Sequence, residues 1–392
     1  MQKSPQDQSL GATIKRFLSN EWVYIGILGF LLLFPFIVQW VTGDSALGVG
    51  GRPRGQSVFW QSIFIEVFVL AILAMSYNLM FGFTGVISFG HALFFGIGGY
   101  GLGIILDRTG FVAGILTTLG LSPDGNVGLM LTLVLALAIT LVIAGLVGFI
   151  MGLVSLRLKG VYFAIFTLAL AEMAYIWTSR WAFTEAEDGF ALRQIPEIIN
   201  PTRNRLTYYY VALAVTVLIF LFIRRLINSP TGRVLLAIRE NEDRAQSIGY
   251  NTLRYKLLSI TLASMMAALA GVIHVVLNKK VGPELLTTTF TIEPLLMMII
   301  GGIGTFSGPV LGAALLHLSE RYLDREFIIY GMEINVGEYW ALALGIAFIV
   351  VVLVFPQGII GTVRGWWQNW RQSRRRQPAP SVDDPLQQSP PQ

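Results

Sequence analysis

Apolar stretches long enough to cross a lipid bilayer recur along this chain. A spanning helix needs roughly 20 mostly apolar residues, and a segment in hydrocarbon must satisfy its own backbone hydrogen bonds. Long continuous apolar runs therefore indicate helices rather than strands. We predict an all-α polytopic membrane protein with about 8–10 transmembrane helices, some of them broken or re-entrant. The predicted spans are residues 22–41, 59–80, 86–106, 127–155, 160–178, 207–227, 255–278 and 338–356.

Three further apolar pieces are too short to be ordinary spans. Residues 286–303 and 308–322 are separated by a glycine turn, and we predict that they enter the membrane and return. Residues 111–121 form an interfacial or re-entrant segment in this prediction.

Composition agrees with a membrane location. Charged residues make up 13% of the chain, against about 25% in soluble domains. Cysteine is absent, which excludes disulfides, iron–sulfur clusters and thiol catalysis. The net charge is +5, but the basic residues lie between apolar spans and form no basic patch interleaved with aromatic residues. We therefore expect no nucleic-acid partner.

Lysine and arginine predict the orientation, because short cytoplasmic loops are enriched in both. The arginine-rich loop 228–254 and the tail 363–392 are placed inside, and alternation of the spans then places the N-terminal segment 1–21 inside too. We expect a multi-pass inner (plasma) membrane protein with both termini cytoplasmic. Residues 22–362 form its transmembrane domain, and the polar tail is predicted to be disordered.

Residues 78–103 form an apolar segment that glycines interrupt repeatedly. Broken backbone at membrane depth is tolerated only where it is buried in protein or lines a wet cavity. His91, predicted to lie about five residues into its span, is ionisable, and such intramembrane residues are candidates for function. It is either bonded to the backbone of a neighbouring helix or part of a pathway or gate.

A second glycine-broken site at residues 301–309 echoes the first. Paired interruptions in two halves of a membrane protein point to a substrate site built from half-helix ends, whose N-termini attract carboxylates. The alternative is close helix packing at small residues, without substrate contact. Both sites lie near the cytoplasmic level, which favours an inner gate. The predicted pathway and gate residues are Asn78, Thr84, Ser88, His91, Gly301, Gly302, Gly304, Thr305 and Ser307.

The cytoplasmic loop 228–254 contains a predicted amphipathic helix. We expect a turn at 229–232, then a helix from Arg233 with an apolar stripe that continues to Ile248, ended by Gly249. Such a helix either docks into a groove of a soluble partner or lies along lipid headgroups. The candidate coupling residues are Arg239, Glu240, Asp243, Arg244, Ala245 and Gly249.

Four segments carry a resemblance to a known family. Asp243-Arg244-Ala245 followed by Gly249 resembles a degenerate EAA-x3-G loop of ABC importer permeases. Residues 76–100, 155–173 and 299–316 closely resemble, in matching order, the LivM-type permease of branched-chain amino acid ABC transporters. The resemblance implies an ABC importer permease fold. It also implies a LivH-like second permease, two ABC ATPase subunits that bind ATP and Mg, and an extracytoplasmic solute-binding protein.

Catalysis and cofactor binding find no support in the sequence. Residues 96–101 match G-x-G-x-x-G, but they lie in a membrane segment and not in the βαβ unit that binds dinucleotides. The chain has no Walker A motif, no nucleophile–base constellation and no ligand-spaced metal residues. We expect a transport subunit, not an enzyme, with no cofactor of its own.

Two rival functions stay open at this point. A closely similar permease family carries urea or short amides, and the readable motifs do not separate its cargo from amino acids. An ion-coupled secondary transporter is the other rival, with Glu66 and Glu172 as proton or sodium sites inside spans. Otherwise these two carboxylates face an outer vestibule or pair with a neighbouring helix.

Overall fold

The computed structural model describes residues 5–47, 55–118, 125–323, 327–329, 332–334, 340–355, 358–362 and 365–366. Its helices are α1 (Pro5–Thr42), α2 (Gln56–Tyr77), α3 (His91–Gly103), α4 (Phe111–Thr118), α5 (Asn126–Ser155), α6 (Val161–Ser179), α7 (Arg205–Ile227), α8 (Pro230–Glu240), α9 (Glu242–Ser247), α10 (Thr252–Asn278), α11 (Thr289–Gly301), α12 (Gly308–Leu323) and α13 (Trp340–Val354). One π-helical turn, Asn78–Gly82, continues α2, and another, Ile104–Arg108, continues α3. Most of the predicted tail lies outside the described residues.

Six of the described helices are long and apolar enough to cross a membrane. Six of the eight predicted spans agree with these helices to within a few residues, because the bilayer thickness fixes the length of each apolar run. The predicted spans 86–106 and 338–356 contain the shorter helices α3 and α13 instead. The two predicted short pieces appear as α11 and α12. Segment 111–121 contains the short helix α4.

Helices α2 and α10 form the centre of the bundle. The most apolar windows of both are 72% buried, against 11% for α1, so α1 presents most of its surface outward. Glycines allow α3 to cross α10 closely: a side chain at Gly98 would collide with the backbone of Ala268, and one at Gly271 with the backbone of Phe95. Small residues at such crossings are typical of membrane helix packing.

Helix α1 is attached to the bundle where a proline interrupts its hydrogen bonds. Pro35 has no N–H to donate to the carbonyl of Leu31. The hydroxyl of Tyr209 on α7 donates to that carbonyl at 2.7 Å instead. A polar group of a neighbouring helix thus satisfies a backbone acceptor that the bilayer would leave unpaired.

The loop between α6 and α7 folds back over the end of α3. Strand β1 (Phe190–Ala191) pairs antiparallel with β2 (Lys280–Val281), which follows α10. The carboxylate of Asp107 accepts hydrogen bonds from the backbone N–H groups of Arg193 and Gln194 at 3.0 and 3.1 Å. A second hairpin, β3 (Phe327–Ile329) with β4 (Met332–Ile334), follows α12.

Candidate functional site

The first glycine-broken site is a turn followed by a non-helical segment. The π-turn at the end of α2 ends at Gly82, the chain turns back at Phe83 and Thr84, and α3 begins only at His91. His91 is therefore the first residue of its helix and not about five residues into it, as predicted. Hydropathy does not distinguish the apolar but non-helical residues 85–90 from helix.

Asn78 joins this first site to the second one. Its side-chain Nδ2 donates to the carbonyl of Thr305 at 2.8 Å, and its Oδ1 accepts from the backbone N–H of Gly304 at 2.8 Å. The Thr305 hydroxyl in turn donates to the carbonyl of Gly302 at 2.8 Å. The two glycine sites, predicted as a pair, are thus in direct contact.

Arg239 of the loop 228–254 lies at the same place. Its guanidinium donates to the backbone carbonyl of Gly82, and Gly85 packs against its backbone. Gly304, with a φ of +72°, leaves room for the guanidinium that a side chain there would displace. We call the contacts among Asn78, Gly82, Arg239, Gly304 and Thr305 the inner latch.

The other predicted pathway residues of the first site hold neighbouring segments together. The hydroxyls of Thr84 and Ser259, on α10, are 2.9 Å apart. The Tyr77 hydroxyl donates to the carbonyl of Ser88 at 2.6 Å. His91 is fully buried, and its ring lies 4.3 Å from that of Tyr77. The backbone of Ser76 lies beside that ring, but neither ring nitrogen makes a hydrogen bond of ordinary geometry to a described residue.

The N-termini of α3 and α12 have side-chain partners. The N–H of Ala92, in the first turn of α3, donates to the Thr291 hydroxyl at 2.9 Å. The N–H of Gly308, at the start of α12, donates to the Thr305 hydroxyl at 3.1 Å. In this arrangement both donors are engaged within the protein rather than directed at a ligand. The remaining second-site residues Gly301, Gly302 and Ser307 form the turn between α11 and α12.

The loop 228–254 contains two helices and not the single predicted one. Helix α8 begins at Pro230, with Ser229 as its N-cap accepting from the N–H of Gly232 at 3.3 Å. Asn241 is extended and caps α9 through the N–H of Arg244 at 2.9 Å. A polar side chain that caps a new helix competes with helix continuation, and the apolar stripe did not reveal this break.

Gly249 ends α9 as predicted, with a φ of +95°. The N–H of Tyr250 donates to the carbonyl of Ala245, and that of Gly249 to Gln246, which is the Schellman pattern of helix termination. The stripe ends earlier than predicted, because Ile248 is 68% exposed.

The loop has one buried face and one exposed polar face. Ala245 is buried with Val234 and Ile238 in a small apolar cluster. Partial burial would raise the pKa of Glu242, but its hydrogen bond to Lys256 and the nearby lysine charges lower that pKa below its ordinary value. The exposed candidate residues are Arg239, Glu240, Asp243, Arg244 and Gly249.

The partners of one candidate residue, Glu66, were not predicted from the sequence. Glu66 pairs with a neighbouring helix, one of the two placements left open for it: its Oε2 lies 2.9 Å from Nε2 of His317 and 3.2 Å from Nη2 of Arg321, both on α12. A sequence signal existed, since His317, Glu320 and Arg321 are grouped on one side of an otherwise apolar helix.

Comparison with known proteins gives consistent matches over most of the chain. A family model described as branched-chain amino acid transport system / permease component matches residues 60–355. The "Probable branched-chain amino acid transport permease protein LivM" of Methanocaldococcus jannaschii is 28% identical, covering 74% of this chain and 89% of the relative. The LivM permease of Escherichia coli K12 is 27% identical over 90% of this chain and 77% of the relative.

Two further matches concern a second permease type and a solved structure. The LivH permease of Salmonella typhimurium is 26% identical, covering 74% of this chain and 91% of the relative. The structure of PsaBC from Streptococcus pneumoniae in complex with Fab aligns with a TM-score of 0.36 and 16% identity, over 76% of this chain and 92% of that one.

Proposed function

This chain belongs to the family of branched-chain amino acid transport permease components, and we propose that it forms half of the translocation pathway of an ATP-driven importer. The family is a transport component and not itself an enzyme. It includes the LivM and LivH types, both of which match this chain. The other half of the pathway would be a LivH-like permease, with two ATPase subunits and a solute-binding protein completing the complex.

The inner latch is the observation that carries this proposal. Arg239 belongs to the exposed cytoplasmic loop, and its guanidinium hydrogen-bonds the turn at the end of α2. The same turn is joined through Asn78 to the turn between α11 and α12. A movement of α8 would therefore act directly on both glycine turns. Energy released on ATPases docked under the loop has a short mechanical route to the membrane segments.

The proposed cycle uses this route to alternate access. With the latch formed, the two turns are held together at the inner end of the bundle. ATP-driven displacement of α8 and α9 would withdraw Arg239 from Gly82 and let the turns separate, which opens the pathway to the cytoplasm. The closely packed helices α2 and α10 would shift as rigid elements. In this proposal the chain lies in the inner membrane with both termini cytoplasmic.

Transport by the reconstituted complex tests the proposal. The chain is co-purified with its partner subunits, placed in proteoliposomes, and uptake of radiolabelled leucine is measured with ATP and Mg inside. We expect uptake to need ATP and to tolerate a proton ionophore. Arg239→Glu or Asp243→Arg should abolish uptake while ATP hydrolysis persists. Uptake that survives both substitutions and is lost with the ionophore contradicts the proposal and favours an ion-coupled carrier.

The ligand of the co-purified binding protein tests the cargo. We expect leucine, isoleucine or valine to stabilise that protein against thermal unfolding, because a bound ligand raises the melting temperature. If urea or a short amide stabilises the binding protein and these amino acids do not, the proposed substrate is wrong and the rest of the proposal stands.

A further inference from the structure

A group of charged side chains lies between α2 and α12, apart from the inner latch. We call Glu66, His317, Glu320 and Arg321 the polar cluster. Glu66 contacts both His317 and Arg321 through its Oε2, at 2.9 and 3.2 Å. Nδ1 of His317 lies 3.5 Å from Oε2 of Glu320, so each ring nitrogen faces a carboxylate.

Further charges surround the polar cluster without closing it. Glu293 of α11 is within electrostatic range of His317 and Glu320, and Arg205 of α7 is within range of Glu66. The Nε of Arg205 is buried and has no hydrogen-bond partner among the described residues. Both signs of charge, on four helices, are therefore concentrated in one region of an apolar bundle.

In the proposed orientation, α2 enters the membrane from the outer side, and the polar cluster is reached from there. Glu66 follows the first residue of α2 by ten positions, which is about 15 Å along the helix. Phe59, Ser62 and Glu66 share one helix face at spacings of three and four residues, and all three retain solvent-accessible surface. Beyond Glu66, α2 is buried from Val67 to Met80.

Lipid is not an acceptable neighbour for this accessible face. Charged side chains at membrane depth face a bundle interior or a water-filled cavity, because exposure to hydrocarbon is costly. The side chains of Glu66, Glu320 and Arg321 are 22%, 35% and 45% exposed. They thus present carboxylate acceptors and guanidinium donors to a space outside this chain's own packing.

We infer that the polar cluster binds the ammonium and carboxylate groups of a zwitterionic amino acid during its passage, an inference that rests on the proposed function. Arg321 supplies the planar donor that matches a carboxylate, and Glu66 and Glu320 supply acceptors for an ammonium group. A free amino acid carries both groups on one carbon atom, so a site of adjacent opposite charges complements it. Urea and other uncharged amides have no comparable match.

An apolar layer closes the bundle directly below this site. Leu70 is one helical turn further along α2 than Glu66, and Ala313 is one turn from His317 on α12. Both are buried in an apolar cluster with Met297 of α11. The layer separates the polar cluster from the inner latch. A substrate bound at Glu66 therefore cannot pass further until the helices move.

Cysteine labelling of the intact complex tests access to the site. The chain has no native cysteine, so Ser62→Cys places a single thiol on the accessible face, one turn above Glu66. In nanodiscs without the binding protein, a membrane-impermeant methanethiosulfonate reagent should modify this thiol. Millimolar leucine should slow the modification, whereas 3-methylbutylamine and 4-methylpentanoate, which lack one charged group each, should protect far less. An unreactive thiol would mean that lipid or the second permease covers this face, and overturns the inference.

Binding by charge variants tests the assigned groups. In the same nanodiscs, equilibrium dialysis should show leucine affinity lowered about tenfold or more by Glu66→Gln and by Arg321→Gln, since each removes a charged hydrogen-bond partner of the ligand. Glu172→Gln, an in-span carboxylate on α6 outside the polar cluster, is the matched control and should leave affinity unchanged. Equal affinities in all three variants, or leucine protection that is no better than protection by the amine, overturn the assignment.

The two proposals fail separately in these experiments. If uptake does not depend on ATP but leucine protects Ser62→Cys, the importer proposal is contradicted and the amino-acid site is supported. If uptake is driven by ATP but leucine gives no protection, the amino-acid site is contradicted and the importer proposal is supported. Loss of uptake in Glu66→Gln alone does not distinguish an ABC importer from an ion-coupled carrier, because both then require Glu66; the ionophore experiment does.

Discussion

Asn78 and Gly304 lie 226 residues apart in sequence, and the side-chain oxygen of one accepts the backbone N–H of the other at 2.8 Å. The same amide donates to the next carbonyl, that of Thr305. A primary amide can donate through its nitrogen and accept through its oxygen at the same time. An asparagine at this position therefore pairs two backbone groups that hydrocarbon would otherwise leave unsatisfied.

The substitution Asn78→Asp should weaken the latch. An ionised carboxylate keeps an acceptor for the N–H of Gly304 but cannot donate to the carbonyl of Thr305, and it buries a charge. We expect a loss of about 1–3 kcal/mol in stability, with a lower melting temperature of the solubilised complex and reduced uptake. Asn78→Leu, which removes both bonds, should be at least as severe. A melting temperature and uptake rate equal to those of the wild type in both variants would contradict the latch.

Arg239 should be needed for coupling rather than for ATP hydrolysis. Arg239→Lys removes the planar guanidinium that reaches the carbonyl of Gly82 and should lower the number of leucine molecules moved per ATP. Arg233→Gln, at an exposed position on the same helix, is the control and should retain the wild-type ratio. The measurement is uptake and phosphate release in one preparation. Equal ratios in the two variants would show that the guanidinium contact is not part of coupling.

Close packing of α3 on α10 should not tolerate even a methyl group. Gly98→Ala places its β-carbon within the contact distance of the Ala268 backbone, so the helices must separate. We expect destabilisation by about 1–3 kcal/mol, measured as a lower melting temperature. Gly26→Ala on α1 meets no atom within 4 Å and should be neutral or slightly stabilising, because alanine favours helix. Similar melting temperatures for the two variants would argue against the crossing.

The break between α8 and α9 should depend on the Asn241 side chain. Asn241→Ala removes the acceptor for the N–H of Arg244 and should cost about 1 kcal/mol in local stability. Faster hydrogen exchange in α9 and weaker stimulation of ATP hydrolysis by the loaded binding protein would follow. Asn241→Ser keeps an N-cap acceptor and should restore both measurements. Failure of serine to restore them would mean that the amide acts through another contact.

Bilayer physics explains why helix positions were predictable from sequence. Each span must bury about 20 residues, so α5, α7 and α10 follow from local composition alone. The start of α3 was not predictable in this way, because residues 85–90 are as apolar as a helix but are not helical. The break at Asn241 was also missed, although an asparagine before two acidic residues is a recognisable N-cap signal.

Contacts between distant parts of the chain were beyond local sequence reasoning. The two glycine sites were recognised as a pair, but nothing in their composition indicates that Asn78 bonds the Gly304 backbone. Glu66 was recognised as an in-span carboxylate, and its pairing with His317 depends on the packing of α2 against α12. Such pairings depend on the three-dimensional arrangement. A single candidate residue can be recognised from the sequence alone, because an ionisable side chain in hydrocarbon has a high free-energy cost.

Helix α10 is a continuous rod of 27 residues, about 40 Å long. Ser259, in its first half, contacts the first glycine turn, and its far end leads into β2, which pairs with β1. A tilt of about six degrees about its Thr252 end would carry its other end roughly 4 Å sideways over the full length. The β1–β2 pairing would transmit this displacement to the loop between α6 and α7. A small angular change beside the loop 228–254 is thus converted into a side-chain-sized movement at the other end of the bundle.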